Sequence, residues 1–364
     1  MSVNRSGSEP PRTGASVAEV DELPLPPHVA LDRVGEVWRV DYEARFRDAL
    51  AWAAEHDLPT AASDTPRVCL LAVDVQNTFC TPGFELFVAG RSGRGALDDS
   101  RRLCQFVYRN LRAITRIAVT LDTHQAFQIF HAPFLIDEAG QHPDPFTLVT
   151  PADVESGRWS VDPAAAEALE LSPPYAESHL GTYVDALAAG GKFDLTIWPF
   201  HALLGGIGHA LVSAIEEAFF FHAIARRSQT RFEPKGEHPL SEHYSIFGPE
   251  VTEGPQGEPI GEKNAVLVRW LLDFDAVLVA GEAKSHCVAW SVEDLLRAAP
   301  EIADRLYLLE DCSSPVVVPG AVDYTDDADK AFARFAAAGV HVVRSSEPIA
   351  GWPGPLGTSA ERGS

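Results

Sequence analysis

The chain has 364 residues, of which 46% are apolar and 22% charged, so it can form one large domain or two moderate ones with a core of ordinary size. Its formal net charge of −23 argues against nucleic acid or an anionic membrane as a main partner. The scattered cysteines contain no CxxC pair, which argues against a disulfide framework and a zinc ribbon.

The N-terminal segment is rich in Ser, Pro, Gly and charged residues, and we predict a disordered tail over residues 1–27. Residues 28–67 are predicted to form an N-terminal extension with a helix at 41–56. The first residues lack the apolar stretch of a secretory signal, and no run approaches the ~18 apolar residues of a membrane span. We therefore expect a cytoplasmic protein.

Short apolar runs alternate with helical patterns along the rest of the chain. Strands are predicted at 68–75, 116–121, 194–198, 230–234, 276–280, 305–310 and 340–344, and helices at 97–114, 206–225, 266–272, 291–298 and 326–338. Such alternation is typical of an α/β fold, with a mostly parallel central sheet between two helix layers. The domain is predicted to span residues 68–348, followed by a C-terminal tail at 349–364.

Two regions fit this pattern poorly. Residues 125–193, called the insertion below, carry many Pro, Asp, Glu and Ser residues and show weak periodicity. A structureless loop of this length inside a domain is unusual and often functional. Residues 249–263 are predicted to be a surface excursion. The glycine-rich segment at 205–208 lacks the full GxGxxG spacing, so it does not indicate a dinucleotide site.

Cys287 is the candidate nucleophile. It follows the strand predicted at 276–280 and precedes the helix predicted at 291–298, so it should lie at a helix N-terminus. Unpaired N–H groups and a partial positive charge at such an end favour the thiolate. The same N–H groups can receive an oxyanion. The alternative is a buried structural cysteine, which is the commoner case for an arbitrary Cys.

Two more residues at predicted strand ends carry chemistry. Asp74 ends the first strand, where sites of open parallel sheets lie, and a carboxylate there can transfer protons. The alternative for Asp74 is a helix cap or a turn residue. Lys235 also ends a strand and can stabilise a thiolate by its charge. The alternative for Lys235 is a solvated surface lysine.

A metal site is a further candidate. Asp122 and His124 are two residues apart on an extended segment, so both point to the same side, and both residue types bind divalent metals. His201 follows another predicted strand and is a third candidate ligand, which would leave positions open for a substrate atom. His131 and His142 are spare candidates. By itself, the Asp122–His124 pair is also compatible with a hydrogen-bonded surface pair.

Five motifs in chain order resemble those of the isochorismatase-like cysteine hydrolases, and within them the nicotinamidases. They are Asp74–Phe79 (DVQNTF), Asp122–His124 (DTH), Trp198–His201 (WPFH), Lys235–Gly236 and Gly281–Cys287 (GEAKSHC). The resemblance covers roughly residues 68–346 without the insertion, and the first 67 residues have no counterpart in it.

The resemblance implies an amidohydrolase that converts the carboxamide of nicotinamide, or of a related heteroaromatic amide, to the acid and ammonia through a Cys thioester. The resemblance implies these residues: Asp74, Lys235 and Cys287 as catalytic triad, the N–H groups of Ala283 and Cys287 as oxyanion hole, Phe79, Trp198 and Tyr244 around the substrate ring, and Asp122, His124 and His201 around one divalent metal ion. Zinc is the first expectation for that ion, with iron and manganese as alternatives. A cis peptide between Glu282 and Ala283, a small-molecule amide as partner and a homo-oligomer are also expected.

Two departures from the family pattern bear on the substrate. Glu282 stands where the family usually has a small or branched apolar residue, which would change the polarity of the pocket. The insertion makes the gap between His124 and His201 longer than usual, so it would cover the pocket, admit a larger substrate or form an oligomer interface.

Other functions stay open on the sequence alone. The triad is compatible with another small C–N amide, or with an isochorismate-type vinyl ether, although the vinyl-ether branch does not need the metal residues. A non-catalytic interaction protein of the same fold is a third alternative, since fold does not determine function.

Overall fold

A six-stranded parallel sheet forms the centre of the molecule in the computed structural model, which describes residues 22–357. The strands are β1 (Val68–Val73), β2 (Arg116–Asp122), β3 (Leu135–Ile136), β4 (Leu148–Val149), β5 (Ser160–Val161), β6 (Leu195–Thr196), β7 (Arg231–Lys235), β8 (Ala276–Gly281), β9 (Leu306–Leu309), β10 (Val317–Val318), β11 (Val322–Asp323) and β12 (His341–Val343). The helices are α1 (Tyr42–Glu55), α2 (Asn77–Cys80), α3 (Gly95–Arg109), α4 (Pro151–Glu155), α5 (Pro163–Ala168), α6 (Pro173–Ala189), α7 (Ser213–Ala225), α8 (Ala265–Leu272), α9 (Cys287–Ala298) and α10 (Thr325–Ala337).

The order of the central sheet is β12-β9-β8-β1-β2-β7, and all its neighbours run parallel. β1 and β8 lie at its middle, and every residue of both is buried, as continuous apolar runs require when helices cover both faces. β2 and β7 pair so that Asp122 lies opposite Lys235. The carboxyl ends of the neighbouring strands β8, β1, β2 and β7 therefore lie side by side at one end of the sheet.

Helices cover both faces of the sheet, which confirms the predicted three-layer α/β fold. On one face, α3 and α7 pack over β1 and β2 through residues such as Phe106 and Phe219. On the other face, α8, α9 and α10 pack through residues such as Leu271 and Phe335. Within residues 22–357, no helix is both long and apolar enough to cross a membrane.

The insertion is not structureless. It contains α4, α5 and α6 and three short strands. β3 pairs antiparallel with β5, and β4 pairs antiparallel with β6, which directly follows the insertion. It also has a hydrophobic cluster of its own, in which Phe134, Leu180 and Tyr183 are fully buried. Trp198 and Ile260 join this cluster, so part of the excursion predicted at 249–263 packs inward. Sequence periodicity was weak because most of these elements have only two to six residues.

Part of each predicted tail packs on the domain. Residues 1–21 and 358–364 lie outside the described part of the chain. Residues 22–27, predicted to be disordered, pack on the domain, since Leu23 is buried and its N–H donates to the carbonyl of Arg109 at 2.8 Å. At the other end, the ring of Trp352 is buried and stacks on Phe106 with 5.9 Å between centroids. Helix α1 confirms the helix predicted at 41–56.

The helix predicted at 206–225 is shorter in the structure. Helix α7 begins only at Ser213. The carbonyls of Gly208 and Ala210 accept the N–H groups of Thr78 and Asn77, at 3.0 and 2.8 Å, so they do not form the hydrogen bonds of a helix. The loop at 203–208 instead leads the chain from His201 back to the sheet edge.

Candidate active site

The candidate triad comes together at the carboxyl edge of the sheet. Asp74 directly follows β1, Lys235 ends β7, and Cys287 is the first residue of α9 after β8. Nζ of Lys235 lies 3.1 Å from Oδ2 of Asp74 and 3.6 Å from Sγ of Cys287. The predicted convergence of these three side chains is thus found, while their catalytic roles stay predictions.

Lys235 is buried between two carboxylates. Besides Asp74 and Cys287, its Nζ donates to Oδ1 of Asp122 at 2.7 Å and to the carbonyl of His243 at 2.9 Å. Burial lowers the pKa of Lys235, but the charges of Asp122 and Asp74 outweigh it and raise that pKa well above its usual value. The alternative of a solvated surface lysine is therefore wrong.

The protonation of Asp74 and Cys287 is set mainly by burial. Burial raises the pKa of the Asp74 carboxyl, and the nearby Lys235 lowers it. Thr120 donates its hydroxyl to Oδ1 of Asp74 at 2.5 Å and fixes the orientation of the carboxyl. Burial also raises the pKa of the Cys287 thiol well above its usual value, against the lowering effect of Lys235. The sequence predicted that the helix N-terminus makes this thiol more acidic, whereas burial raises its pKa.

The loop before Cys287 presents two free N–H groups. The peptide between Glu282 and Ala283 is cis, as the resemblance implied. Among residues 22–357, neither the N–H of Ala283 nor that of Cys287 donates a hydrogen bond, whereas the N–H of Lys284 donates to the carbonyl of Ser314 at 2.8 Å. One group belongs to Cys287 itself, and the other to Ala283, which lines the same cavity, so both are suited to receive an oxyanion formed at the thiol.

Asp122, His124 and His201 bring three ligand atoms within 4.8 Å of one another. Nε2 of His124 lies 2.8 Å, and Nε2 of His201 3.5 Å, from Oδ2 of Asp122. The other ring nitrogen of each histidine is bound to a backbone carbonyl, of Gly236 at 3.2 Å and of Pro199 at 2.8 Å. Such second bonds orient imidazoles for metal binding. Two imidazoles and one carboxylate facing a common point therefore fit a divalent transition metal.

The position after Lys235 requires a glycine, Gly236, because of its backbone conformation and its close neighbours. Its φ is +86°, and a Cβ there would lie 2.6 Å from Cε1 of His124 and 3.1 Å from Oδ1 of Asp122. Any larger residue would therefore push on two of the three candidate ligands. The backbone turn at Gly236 lets Lys235 and His124 occupy adjacent positions.

The spare histidines are not part of this group. Among the described residues, the ligand atoms within 4.8 Å belong to Asp122, His124 and His201 alone. The ring of His131 is buried with its centroid 5.7 Å from that of His201, and its Nδ1 is bound to the carbonyl of Gln125. His142 is half-exposed in the insertion, where its Nδ1 is bound to the carbonyl of Leu135.

A narrow cavity of about 30 Å³ connects the thiol with the candidate metal ligands. Its lining residues include Phe79, Asp122, Trp198, His201, Tyr244 and Cys287. The indole N–H of Trp198 donates to the hydroxyl of Tyr244 at 3.1 Å, which holds these two aromatic side chains together in the cavity wall. Two larger cavities, of about 260 and 340 Å³, lie elsewhere and contain none of these residues.

Two ionisable lining residues were missed by the sequence analysis. Glu242 is buried in the cavity wall, and burial raises its pKa to about 7. It lies in a polar segment without periodicity, which gave no signal. His286 also lines the cavity and is packed between Trp198 and Tyr244, and burial lowers its pKa to about 3. Its position next to Cys287 was a signal that could have identified it.

Glu282 does not change the polarity of the cavity as expected. It is buried, but it is not among the residues that line the cavity. Its Oε2 instead accepts a hydrogen bond from the N–H of Ser314 at 3.1 Å. The carboxyl group therefore lies behind the nucleophile loop, on the side of α3.

No protein-family model matches the chain, and no curated protein matches it in sequence. Some solved structures are similar in fold. A nicotinamidase/pyrazinamidase of Acinetobacter baumanii is 18% identical, over 77% of this chain and 97% of that chain, with a TM-score of 0.46. A pyrazinamidase of Pyrococcus horikoshii in complex with zinc is 16% identical, over 77% and 99%, with a TM-score of 0.40. An N-carbamoylsarcosine amidase from Thermoplasma acidophilum is 14% identical, over 77% and 98%, with a TM-score of 0.38.

Proposed function

We propose that the protein is a cysteine amidohydrolase that hydrolyses the carboxamide of nicotinamide, or of a related small heteroaromatic amide, to the carboxylic acid and ammonia. The observation that carries the proposal is the position of Lys235. One buried ammonium group contacts the candidate base Asp74, the candidate nucleophile Cys287 and the candidate metal ligand Asp122 at 2.7 to 3.6 Å. Packing alone does not favour a buried lysine between two carboxylates and a thiol.

The first half of the reaction forms a thioester. Asp74 takes the proton of the Cys287 thiol, which needs an adjacent base because burial disfavours the thiolate. The sulfur attacks the amide carbon, and the N–H groups of Ala283 and Cys287 hold the oxyanion. As the C–N bond breaks, protonated Asp74 gives its proton to the leaving nitrogen, so ammonia departs. Lys235 keeps its proton and balances the negative charge that moves between sulfur and carboxylate.

The second half returns the enzyme to its starting form. Asp74 takes a proton from a water molecule that attacks the thioester carbon. The same two N–H groups hold the second oxyanion. When the C–S bond breaks, the sulfur leaves and recovers a proton from Asp74, and the carboxylic acid is released. Water has then been added across the amide bond, with no net change in Cys287, Asp74 or Lys235.

Asp122, His124 and His201 would hold the metal ion. The ion would supply a Lewis-acid position for a lone-pair donor of the substrate, such as the nitrogen of a pyridine ring. Phe79 and Trp198 would then contact the faces of a flat ring whose amide group points toward Cys287. The narrow cavity favours a small planar substrate and implies that its aromatic wall moves when the substrate enters.

The test is a panel of amides with metal-loaded and chelated protein, with ammonia release as the readout. We expect nicotinamide to exceed benzamide in kcat/KM by at least about tenfold, since a lost substrate hydrogen bond or ligand bond costs at least 1.4 kcal/mol. Benzamide has the same size and lacks only the ring nitrogen, so it is the matched control. If benzamide or a linear amide reacts as well as nicotinamide, the ring nitrogen is not recognised and the substrate is another small amide. If no amide is hydrolysed by the metal-loaded protein, the proposal is wrong.

A further inference from the structure

A buried pair of carboxyl groups lies directly behind the nucleophile loop. Glu282 and Asp99 are 1% and 3% exposed, and both accept hydrogen bonds from Ser314, Glu282 from its N–H at 3.1 Å and Asp99 from its hydroxyl at 2.5 Å. Two ionised carboxylates on one serine repel strongly in a buried position, which favours a proton on one of them. Oε1 of Glu282 is buried and receives no hydrogen bond from the described residues, which is the situation expected of an oxygen that itself holds the proton.

Asp99 is the member that keeps its charge. Arg102, one turn along α3, donates to Oδ1 of Asp99 at 2.7 Å. The hydroxyl of Ser314 donates to Oδ2 of Asp99 at 2.5 Å. Among the described residues no cation donates a hydrogen bond to Glu282, whose Oε2 accepts the backbone N–H of Ser314. Charge-assisted bonds favour the ionised form at Asp99, so the proton belongs on Glu282.

Ser314 links this pair to both neighbours of Ala283. Its N–H donates to the Glu282 side chain at 3.1 Å, and its carbonyl accepts from the N–H of Lys284 at 2.8 Å. The residues before and after Ala283 are therefore attached to the same serine. Ala283 supplies one of the two free N–H groups beside Cys287, so the direction of that N–H depends on these two attachments.

We propose that Glu282 and Asp99 share one proton, and that this shared proton positions the Ala283 N–H for the oxyanion of the reaction proposed above. Glu282 is thus a positioning residue, which acts through the backbone of Ala283. The chain differs here from the family it resembles, in which an apolar residue is usual at this place.

The surroundings determine how the pair responds to pH. Asp99 and Arg102 face Glu282 from α3, and Cys80 faces it from α2. Asp311 and Cys312, in the segment before Ser314, face Asp99 and Arg102. The guanidinium of Arg102 thus faces the carboxyl groups of both Asp99 and Glu282. Burial, and after it repulsion from Asp99, raises the pKa of Glu282 well above its ordinary value of 4.5. A raised pKa in the folded state adds stability at low pH, and that contribution is lost as the pH rises from 4.5 toward the folded value.

The first experiment measures the proton without any substrate. Urea unfolding of the wild type and Glu282→Gln is compared from pH 5 to pH 8, because the glutamine amide can donate to Asp99 and its oxygen can accept from Ser314 at every pH. The wild-type unfolding constant should rise relative to that of Glu282→Gln by up to about tenfold per pH unit, the slope of one proton bound only in the folded state. Glu293→Gln, at a partly exposed position of α9 near Arg297, is the control and should follow the wild type. Equal slopes for wild type and Glu282→Gln would show that there is no shared proton.

The second experiment tests positioning. Glu282→Gln should keep kcat on the active amide within about threefold of wild type at pH 7, whereas Glu282→Leu should lower kcat at least about tenfold with little change in KM, as loss of an oxyanion donor does. Alkylation of Cys287 by iodoacetamide in each variant reports whether the thiol itself stays accessible. A fully active Glu282→Leu would overturn the positioning role. If the wild type hydrolyses no amide but the unfolding slopes differ as expected, the proposed function fails and the shared proton stands.

Discussion

The two sides of the cavity are built in different ways. The inner side is the edge of the parallel sheet, where Asp74, Asp122 and Lys235 are buried and paired at 2.7 to 3.1 Å. The outer side belongs to the cluster of the insertion, where Trp198 and Tyr244 present aromatic rings joined by one hydrogen bond. Buried charges hold reacting groups, and aromatic surfaces hold flat ligands. Substitutions on the inner side should therefore lower kcat, and those on the outer side should raise KM.

The largest effect is expected at Cys287. Cys287→Ala removes the atom that bonds to the substrate, and kcat should fall at least about a thousandfold. Cys104→Ala, at another buried cysteine, is the control and should retain its turnover. The measurement is ammonia release, accompanied by urea unfolding to show that both variants fold. Normal turnover by Cys287→Ala would exclude the thioester.

Lys235→Met should affect both activity and stability. It leaves Asp74 and Asp122 buried without their common cation, so the free energy of unfolding should fall by about 3–5 kcal/mol and kcat by about a hundredfold or more. Burial raises the pKa of Asp122, but His124 and Lys235 outweigh it and hold that pKa well below its usual value. The stabilisation is therefore present at neutral pH and is lost as the pH falls.

The stability of the chelated wild type and Lys235→Met should thus converge in acid. Urea unfolding at pH 7 and at pH values below 3.8, the ordinary pKa of an Asp122 carboxyl, measures both differences. Lys284→Met, whose amine pairs with the exposed Asp329, is the control on the same side of the molecule and should change little. If Lys235→Met is as stable as the wild type at pH 7, the electrostatic role of Lys235 is contradicted.

His201 lies where the two sides meet, because it follows Trp198 in the chain and its Nε2 faces Asp122. His201→Ala removes one of three proposed ligands, so the purified protein should lose most of its bound metal, and kcat/KM should fall about a hundredfold. Elemental analysis of the protein gives the first value, and amide hydrolysis the second. His142→Ala should keep a full complement of metal. Equal metal content in both variants would remove His201 from the site.

The smallest effect is expected on the outer side. Trp198→Phe keeps an aromatic face but loses the hydrogen bond to Tyr244. We expect KM for the active amide to rise about three- to tenfold with kcat within about twofold, because a single neutral contact is worth about 1 kcal/mol. Steady-state kinetics separates the two constants. If kcat falls instead while KM is unchanged, it is wrong that the outer side affects substrate binding and the inner side the reaction rate.

The inner side was predictable from the sequence and the outer side largely was not. β1 and β8 are continuous apolar runs, so their ends, and with them Asp74 and the loop before Cys287, could be placed from the residues alone. The short strands β3 to β6 have two residues each and leave no periodic signal. Glu242 was missed for the same reason, since nothing in its neighbourhood fixes a strand or a helix face.

Protonation states were the other limit of prediction. The position of Cys287 at the start of α9 was correctly predicted, but the direction of its pKa shift was not. A helix end is visible in the sequence, whereas complete burial depends on Tyr244 and other residues distant in the chain. The contact between Glu282 and Asp99 is of the same kind, since it joins residues from two elements that no local pattern connects.

The place of β1 in the sheet has a consequence for the synthesis of the chain. β1 is the first strand of the central sheet to leave the ribosome, yet one of its two partners, β8, begins only at Ala276. For about 200 residues of elongation, one edge of a wholly apolar strand therefore has no partner. Unpaired apolar edges template aggregation, so the nascent chain should depend on chaperones over this interval more than a protein whose sheet pairs in sequence order.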